Sequence, residues 1–334
     1  MEYVPAATLW VLTILRLPAA LDPHRGSVFR ATILAAIACT LYIPAVYYEV
    51  DTMLGGRNRV GLATLVSLLL GFWQFRTAIL LAAVGDVEAR RRQLAFGRWA
   101  AVISCSAVTA GFIASRTPVT DPNLPLSYGD QPGMAVFLWT GSTFIMWICL
   151  DIARVCHKYL PSMRGPAFRS AFLLISIGCI LFALVLLDRL LYGLVTKIDG
   201  TASPAAAVLT FLYWVGETFA VLLVSLGLLL PRLASHLKHG TFVLHVRLLL
   251  LEIGPIWNRI ASSQRELILE NRRATRLIVL SRHAETQLHR RLVEIRDCEM
   301  ATSAAGRRLD AHDRAIVERA ELALERRSGT RPTR

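Results

Sequence analysis

Charged residues are scarce in this sequence. Only 18% of its 334 residues are Asp, Glu, Lys or Arg, whereas 54% are hydrophobic, and the mean hydropathy is +0.47. Soluble domains of this length rarely have so positive a mean hydropathy, because their surfaces need polar side chains to meet water. The composition therefore predicts a membrane protein, with the lipid bilayer as its main partner.

The signatures of common enzymes and metal sites are also missing. No HExxH motif, GxSxG elbow, Walker loop or kinase signature occurs in the sequence. The six cysteines form no Cys-x2-Cys pair, and His236, His239 and His245 have spacings that match no recognised zinc pattern. We therefore expect no enzymatic activity, no cofactor and no metal ion, and we interpret the cysteines as packing residues.

What the sequence does contain is long apolar runs. A bilayer core of roughly 30 Å requires about 20 predominantly apolar residues per helix. Seven runs come near that length, at about 4–21, 31–48, 60–84, 99–115, 133–153, 170–195 and 205–230. Turn-forming glycines and prolines separate several of them. The runs predict an all-α polytopic bundle of seven transmembrane helices over residues 1–231.

The loop charges predict the orientation of this bundle. The loops after the first, third and fifth runs contain ten Lys or Arg residues, and the loops after the second, fourth and sixth contain four. Because Lys and Arg are enriched in short cytoplasmic loops, the N-terminus is expected outside the cell membrane and the C-terminal tail in the cytoplasm.

The tail from Arg232 onward is basic, with twenty Lys or Arg against twelve Asp or Glu. We expect residues 232–327 to form a small helical cytoplasmic domain and residues 328–334 to fray. Gly254 and Pro255 interrupt an apolar stretch, so two short helices joined by a kink are expected there, because proline removes a helical donor.

Two more helices are expected in the tail. One covers about 281–301, where Leu288, Leu292 and Ile295 share one face. The other begins near Asp310 or Asp313, residues suited to helix capping, and runs to about 327.

Two interpretations of the arginine pairs in the tail remain open. They can bind anionic lipid head groups, each basic residue contributing about 1 kcal/mol near the surface. They can equally pair with glutamates such as Glu266, Glu270 or Glu294 on the same helix face. Nucleic acid is not an expected partner, because Trp257 is the only aromatic residue after Phe242. The pairs are 272/273, 290/291, 307/308 and 326/327.

Two runs in the tail carry a family resemblance: Glu252–Trp257, which contains a Pro-x-Trp motif, and Leu288–Asp297, which reads LHRRLVEIRD. Both resemble the C-terminal domain of a group of actinobacterial seven-helix membrane proteins, many of which are labelled transporters. The resemblance implies seven spans and a cytoplasmic domain of unknown function, and it supplies no catalytic residues. The candidate residues of this motif are Trp257, Arg290, Arg291, Glu294, Arg296 and Asp297.

Ionisable residues inside the apolar runs are the other candidates, because charge at membrane depth is costly and usually faces protein or water. They are Glu217, Arg76, Asp188, Arg189 and Asp151. In one reading Glu217 accepts a proton or cation in a polar cavity, with Arg76 or Arg189 as counter-ion. In the other, these residues form interhelical pairs that fix helix neighbours. Asp151 and Arg189 are also expected to reach the membrane interfaces.

Two functions remain open from the sequence. The first is a transporter of an unknown solute, with a polar site near Glu217 and a regulatory cytoplasmic domain. The second is a membrane-anchored sensor or scaffold whose C-terminal domain recruits a cytoplasmic protein.

Overall fold

The chain forms two compact units, Met1–Arg232 and Leu233–Arg334. The computed structural model describes residues 3–20, 26–163, 165–199, 203–263, 283–302 and 309–328, and all regular structure within these ranges is helical. The all-α class predicted from the sequence is therefore confirmed for the described residues. The two units divide one residue after the boundary that the change in composition predicts.

The described residues of the N-terminal unit form eight α-helices and the first half of a ninth. They are α1 (Tyr3–Arg16), α2 (Gly26–Leu41), α3 (Pro44–Met53), α4 (Arg59–Ala83), α5 (Val87–Ile113), α6 (Leu124–Tyr128), α7 (Pro132–Tyr159), α8 (Pro166–Asp199) and α9 (Pro204–Ser263). Five of these, α4, α5, α7, α8 and α9, are long and apolar enough to cross a membrane, and α2 with α3 makes a sixth if the bent pair is one span. These helices suit a membrane-embedded protein.

The first two predicted spans differ from the observed helices because of proline. α1 ends at Arg16 after 14 residues, and a short 3-10 turn follows in which Pro18 lies at the start. The predicted span at 31–48 is a broken helix, since α2 and α3 meet at an angle of 89° and α3 begins at Pro44. Proline lacks an N–H donor and disfavours helical geometry in the preceding residue, which explains both interruptions.

The fourth predicted span begins earlier than expected. α5 starts at Val87 rather than near residue 99, because the Asp86 carboxylate caps the helix. Its Oδ1 accepts hydrogen bonds from the backbone N–H groups of Glu88 at 2.9 Å and Ala89 at 3.3 Å. Capping satisfies N–H groups that have no partner within the helix, so a charged segment can join the apolar one in a single helix.

Glycines allow the helices of the N-terminal unit to approach closely. A Cβ atom on Gly111 of α5 would lie 2.7 Å from the carbonyl oxygen of Gly133 on α7. Similarly, a Cβ on Gly227 of α9 would lie 2.8 Å from the carbonyl oxygen of Ala171 on α8. Small residues at such crossings let backbones pack tightly, which is the main source of helix association in lipid.

The C-terminal unit contains the end of α9 together with α10 (Ala284–Thr302) and α11 (Ala311–Ser328). Ile253, Leu288 and Ile295 are buried together with Trp257 and Val317 in its apolar core. Leu288, Leu292 and Ile295 are all buried, so α10 faces the core with the side that their spacing predicts.

The predicted kink at Gly254 and Pro255 was wrong, because α9 continues through both residues to Ser263. Pro255 has no N–H group, so the backbone carbonyl of Leu251, four residues earlier, has no helical donor. The side chain of Leu251 is exposed. On the opposite face Ile253, Ile256 and Trp257 are buried, and this packing favours a continuous helix over the local preference of proline.

Several predictions concern parts of the chain outside the described residues. These are the arginine pairs at 272/273 and 307/308, the glutamates at 266 and 270, the start of the predicted helix at 281, and the chain end from 329.

A Gly111→Ala substitution is expected to lower the free energy of unfolding by about 1–3 kcal/mol, because the added methyl group forces α5 and α7 apart. Thermal unfolding of the purified protein in detergent measures this change. Gly193→Ala on α8 is the matched control, since nothing lies within 4 Å of its added Cβ. The control should be neutral or stabilising by up to about 1 kcal/mol. Equal effects of the two substitutions would contradict the close approach at Gly111.

Candidate functional site

A cavity of about 240 Å³ lies inside the N-terminal unit. Its wall includes residues of α1, α2, α4, α7, α8 and α9, and most of them are aliphatic or aromatic. Glu217 is the only charged side chain among the described residues that line it. We call this volume the bundle cavity.

Aromatic side chains surround Glu217. Tyr42, Tyr213 and Trp214 also line the bundle cavity. The ring centroid of Trp214 lies 6.5 Å from that of Tyr42 and 5.6 Å from that of Tyr213. Tyr213 precedes Glu217 by one helical turn, so both side chains point to the same side of α9. The carboxylate therefore lies beside a cluster of three aromatic rings.

Two hydroxyl groups in the cavity wall lack a hydrogen-bond partner. They belong to Thr64 on α4, which is 7% exposed, and Ser225 on α9, which is 2% exposed. Neither hydroxyl oxygen has a hydrogen-bond partner among the described residues. Most buried polar groups in proteins are hydrogen-bonded, so these two hydroxyls are exceptions among the described residues.

Arg189 does not line this cavity, although it is close enough to act electrostatically on Glu217. Its guanidinium carbon lies 4.5 Å from the ring centroid of Tyr213 and 5.0 Å from that of Tyr192. The guanidinium of Arg189 thus stacks on two tyrosines, and its predicted extension to the membrane interface stays a prediction. The neighbouring Asp188 also lies outside the cavity wall, and its Oδ2 is buried with no hydrogen-bond partner among the described residues.

Arg76 has another partner than the one considered from the sequence. Its Nε lies 2.7 Å from Asp151 Oδ2, and its Nη1 donates to the backbone oxygen of Gln93 at 3.0 Å. The side chain of Asp151 is only 10% exposed, because it is packed against Arg76. The ion pair joins α4 to α7, and the hydrogen bond to Gln93 joins α4 to α5. Arg76 is therefore not the counter-ion of Glu217.

The surroundings of Arg76 leave little free space. The residue is 4% exposed, and its guanidinium carbon lies 5.0 Å from the ring centroid of Trp147. A Cβ on Gly97 would lie 2.5 Å from Arg76 Nη1, so the glycine makes room for the guanidinium. Arg154 also approaches Asp151, at 3.1 Å, but from an exposed position. These contacts give Arg76 and Asp151 a structural role.

In the C-terminal unit, the two runs that carry the family resemblance meet in the core. The indole Nε1 of Trp257 donates to Glu294 Oε2 at 2.6 Å, and Arg290 Nε lies 3.1 Å from Glu294 Oε1. Arg291 is 1% exposed, and its guanidinium carbon lies 4.9 Å from the ring centroid of Trp257. Both oxygens of Glu294 are thus used, and this part of the motif forms a polar core rather than an open site.

Arg296 and Asp297 lie at the surface of the same unit. Arg296 donates two hydrogen bonds to the two carboxylate oxygens of Glu321, each at 2.8 Å, and a third to Glu299. Asp297 is exposed in the shallow groove between α10 and α11. The guanidinium of Arg296 holds the pKa of the Glu321 carboxyl below its ordinary value. This bidentate pair joins α10 to α11.

Sequence reasoning missed a polar cluster where α3 meets α4. Asp51 is 0% exposed and accepts hydrogen bonds from the backbone N–H of Asn58 at 2.9 Å and from the Thr120 hydroxyl at 2.6 Å. Asn58 has a positive φ of 55° and donates from Nδ2 to the backbone oxygen of Val119 at 2.6 Å. In the sequence, Asp51 starts a Gly-rich turn and thus resembles an ordinary exposed turn residue.

Comparison of the chain with protein-family models, with curated proteins and with solved structures returned no match. The geometry of the described residues therefore carries the functional argument, and the resemblance of the tail to actinobacterial seven-helix proteins stays a prediction.

Replacing Asp151 by asparagine is expected to lower the free energy of unfolding by about 3–5 kcal/mol, because Arg76 keeps its buried charge and loses the compensating one. Unfolding in detergent, followed by circular dichroism, measures the loss. Arg154→Gln removes the exposed partner of the same carboxylate and should cost less than about 1 kcal/mol. A small effect of Asp151→Asn would show that Arg76 is already hydrated.

The pair between Arg296 and Glu321 predicts a pH dependence. Because the folded-state pKa of Glu321 is lowered, its contribution to stability is complete above the unfolded value of about 4.3 and disappears as the pH falls through the folded value. Hydrogen exchange of α11, corrected for the intrinsic pH dependence of exchange, should therefore accelerate on acidification below about pH 4.3.

Glu321→Gln should give faster exchange at neutral pH and remove most of this pH dependence. Glu325→Gln on the same helix is the control and should leave the acid-dependent change in place. Identical pH profiles for the wild type and the Glu321→Gln protein would count against the pair as the cause.

Proposed function

We propose that this chain is a seven-span protein of the cell membrane that binds a small solute in the bundle cavity and carries it across the membrane. In this proposal the N-terminus lies outside, and the C-terminal helical unit lies in the cytoplasm and regulates the bundle. The observation that carries the proposal is a mostly apolar cavity inside the helices with one carboxylate, that of Glu217, in its wall.

The position of α1 in the cavity wall and two hydrogen bonds to α9 support counting α1 as the first span. Pro5, Leu9 and Leu12 of α1 line the bundle cavity, so this helix is part of the bundle wall. At its other end, Arg16 donates to the backbone oxygen of Leu228 on α9, and Arg232 donates back to the backbone oxygen of Leu15. Arg16 and Arg232 thus lie together at one end of the bundle. The loop charges assign this end to the cytoplasm.

The surroundings of Glu217 favour a role in binding over a purely structural role. The 2.7 Å pair of Arg76 and Asp151 shows how one buried charge in this bundle is compensated by another. By contrast, no basic side chain of the described residues forms an ion pair with Glu217, which faces the cavity. An ionisable residue at membrane depth that faces an accessible volume is typical of a substrate or ion pathway.

One observation favours the sensor as second candidate. α9 contributes Glu217 and Ser225 to the bundle cavity and contributes Ile253 and Trp257 to the core of the C-terminal unit. As a sensor, the protein would recruit a cytoplasmic protein through the C-terminal unit when a molecule binds in the cavity. In this function the cavity needs access from one side only.

Transport predicts that the cavity is reached from both faces of the membrane. Cys39, Cys149 and Cys179 line it, and Cys39 is the one of the three that is not fully buried, so it serves as the probe in a variant whose other five cysteines are serine. In right-side-out and in inverted vesicles, a membrane-impermeant methanethiosulfonate should modify Cys39 from either face.

A variant without cysteines measures the background of this experiment. Modification from a single face would contradict transport and favour the sensor. Protection from both faces would contradict access of a small solute to Cys39 and with it the proposed transport.

A further inference from the structure

We propose that the molecule bound in the bundle cavity is a small amphiphilic monocation, an amine on an apolar body little larger than a benzene ring, with its ammonium group at Glu217. This inference rests on the proposed function for the existence of the binding site and adds the chemical class of its ligand.

The charge of the wall selects the charge of the ligand. Glu217 is the only charged side chain among the described lining residues, and Arg189 lies behind the ring of Tyr213 rather than in the wall. An anion that entered the cavity would meet a carboxylate and no cation in a medium of low dielectric. A monocation would instead form the ion pair that Glu217 lacks within the described residues.

The aromatic cluster favours a cation at the same place. Rings attract a cation to their faces when it lies within about 6 Å of the centroid. Tyr42 and Trp214 line the cavity beside Glu217, with their ring centroids 6.5 Å apart. An ammonium group next to the carboxylate would therefore lie among aromatic rings as well. A divalent metal ion is a poorer fit, since one carboxylate among apolar walls supplies too few oxygen ligands.

The size of the cavity limits the apolar body. An apolar protein cavity of about 150 Å³ holds one benzene molecule. The bundle cavity, at about 240 Å³, has room for such a ring with a chain of a few carbon atoms. A small hydrated ion, by contrast, would leave most of the aliphatic wall without contacts.

The test compares three probes of almost equal size on the full-length protein in lipid nanodiscs: phenylpropylamine, phenylpropanol and phenylpropanoate. Affinities are obtained from the shift of the unfolding temperature with probe concentration. We expect the amine to bind at least roughly ten-fold tighter than the alcohol and the carboxylate not to bind, because only the amine gains an ion pair at Glu217.

Glu217→Gln should weaken the amine by roughly 30-fold, the effect of removing one partner of a buried charge pair. The same variant should keep the affinity for phenylpropanol, which shows that its cavity is intact. If Glu217→Gln does not fold, Glu217→Asp replaces it and should keep the preference for the amine at reduced affinity.

Equal binding of amine and alcohol to the wild type, or an unchanged amine affinity in Glu217→Gln, would overturn the inference. So would tight binding of the carboxylate. These outcomes are separable from the failure of the proposed function. Cysteine access from both faces without amine preference would leave transport in place with another ligand, whereas amine preference with access from one face would leave a sensor of amines.

Discussion

Charge at membrane depth is costly because lipid neither donates hydrogen bonds nor screens an ion, and the N-terminal unit is arranged around this constraint. Arg76 meets it with Asp151, with the backbone oxygen of Gln93 and with the face of Trp147, while Gly97 leaves the necessary space. Glu217 meets it differently, since it faces a cavity instead of a basic partner. A buried charge whose contacts are all made within the protein has a structural role, whereas a charge that faces a cavity is suited to binding.

Local sequence predicted the helices better than their ends and their contacts. The apolar runs identified the long helices because lipid solvation acts on each segment separately. The break before Pro44 and the continuous helix through Pro255 have opposite outcomes for the same residue type, since burial of Trp257 and its neighbours decides the second case. The partner of Arg76 lies 75 positions away on another helix, so no pattern along the chain could reveal it.

The C-terminal unit shows how a sequence motif can be structural rather than chemical. Trp257 and Glu294 were candidates because they belong to two runs with a family resemblance, and the structure brings them together at 2.6 Å. With Arg291 stacked on the indole, the motif fills a core with polar groups that require defined partners. Such an arrangement favours one register of α9 against α10, because a shifted helix would leave buried polar groups unpaired.

The buried Asp51 and the left-handed Asn58 have a mechanical consequence. Their hydrogen bonds to Thr120 and Val119 join the turn before α4 to the loop before α6. Moving this loop away from α3 and α4 would break several buried bonds at once, whereas the described residues of α1 take no part in this cluster. We therefore expect the loop to move with α3 and α4 as one block.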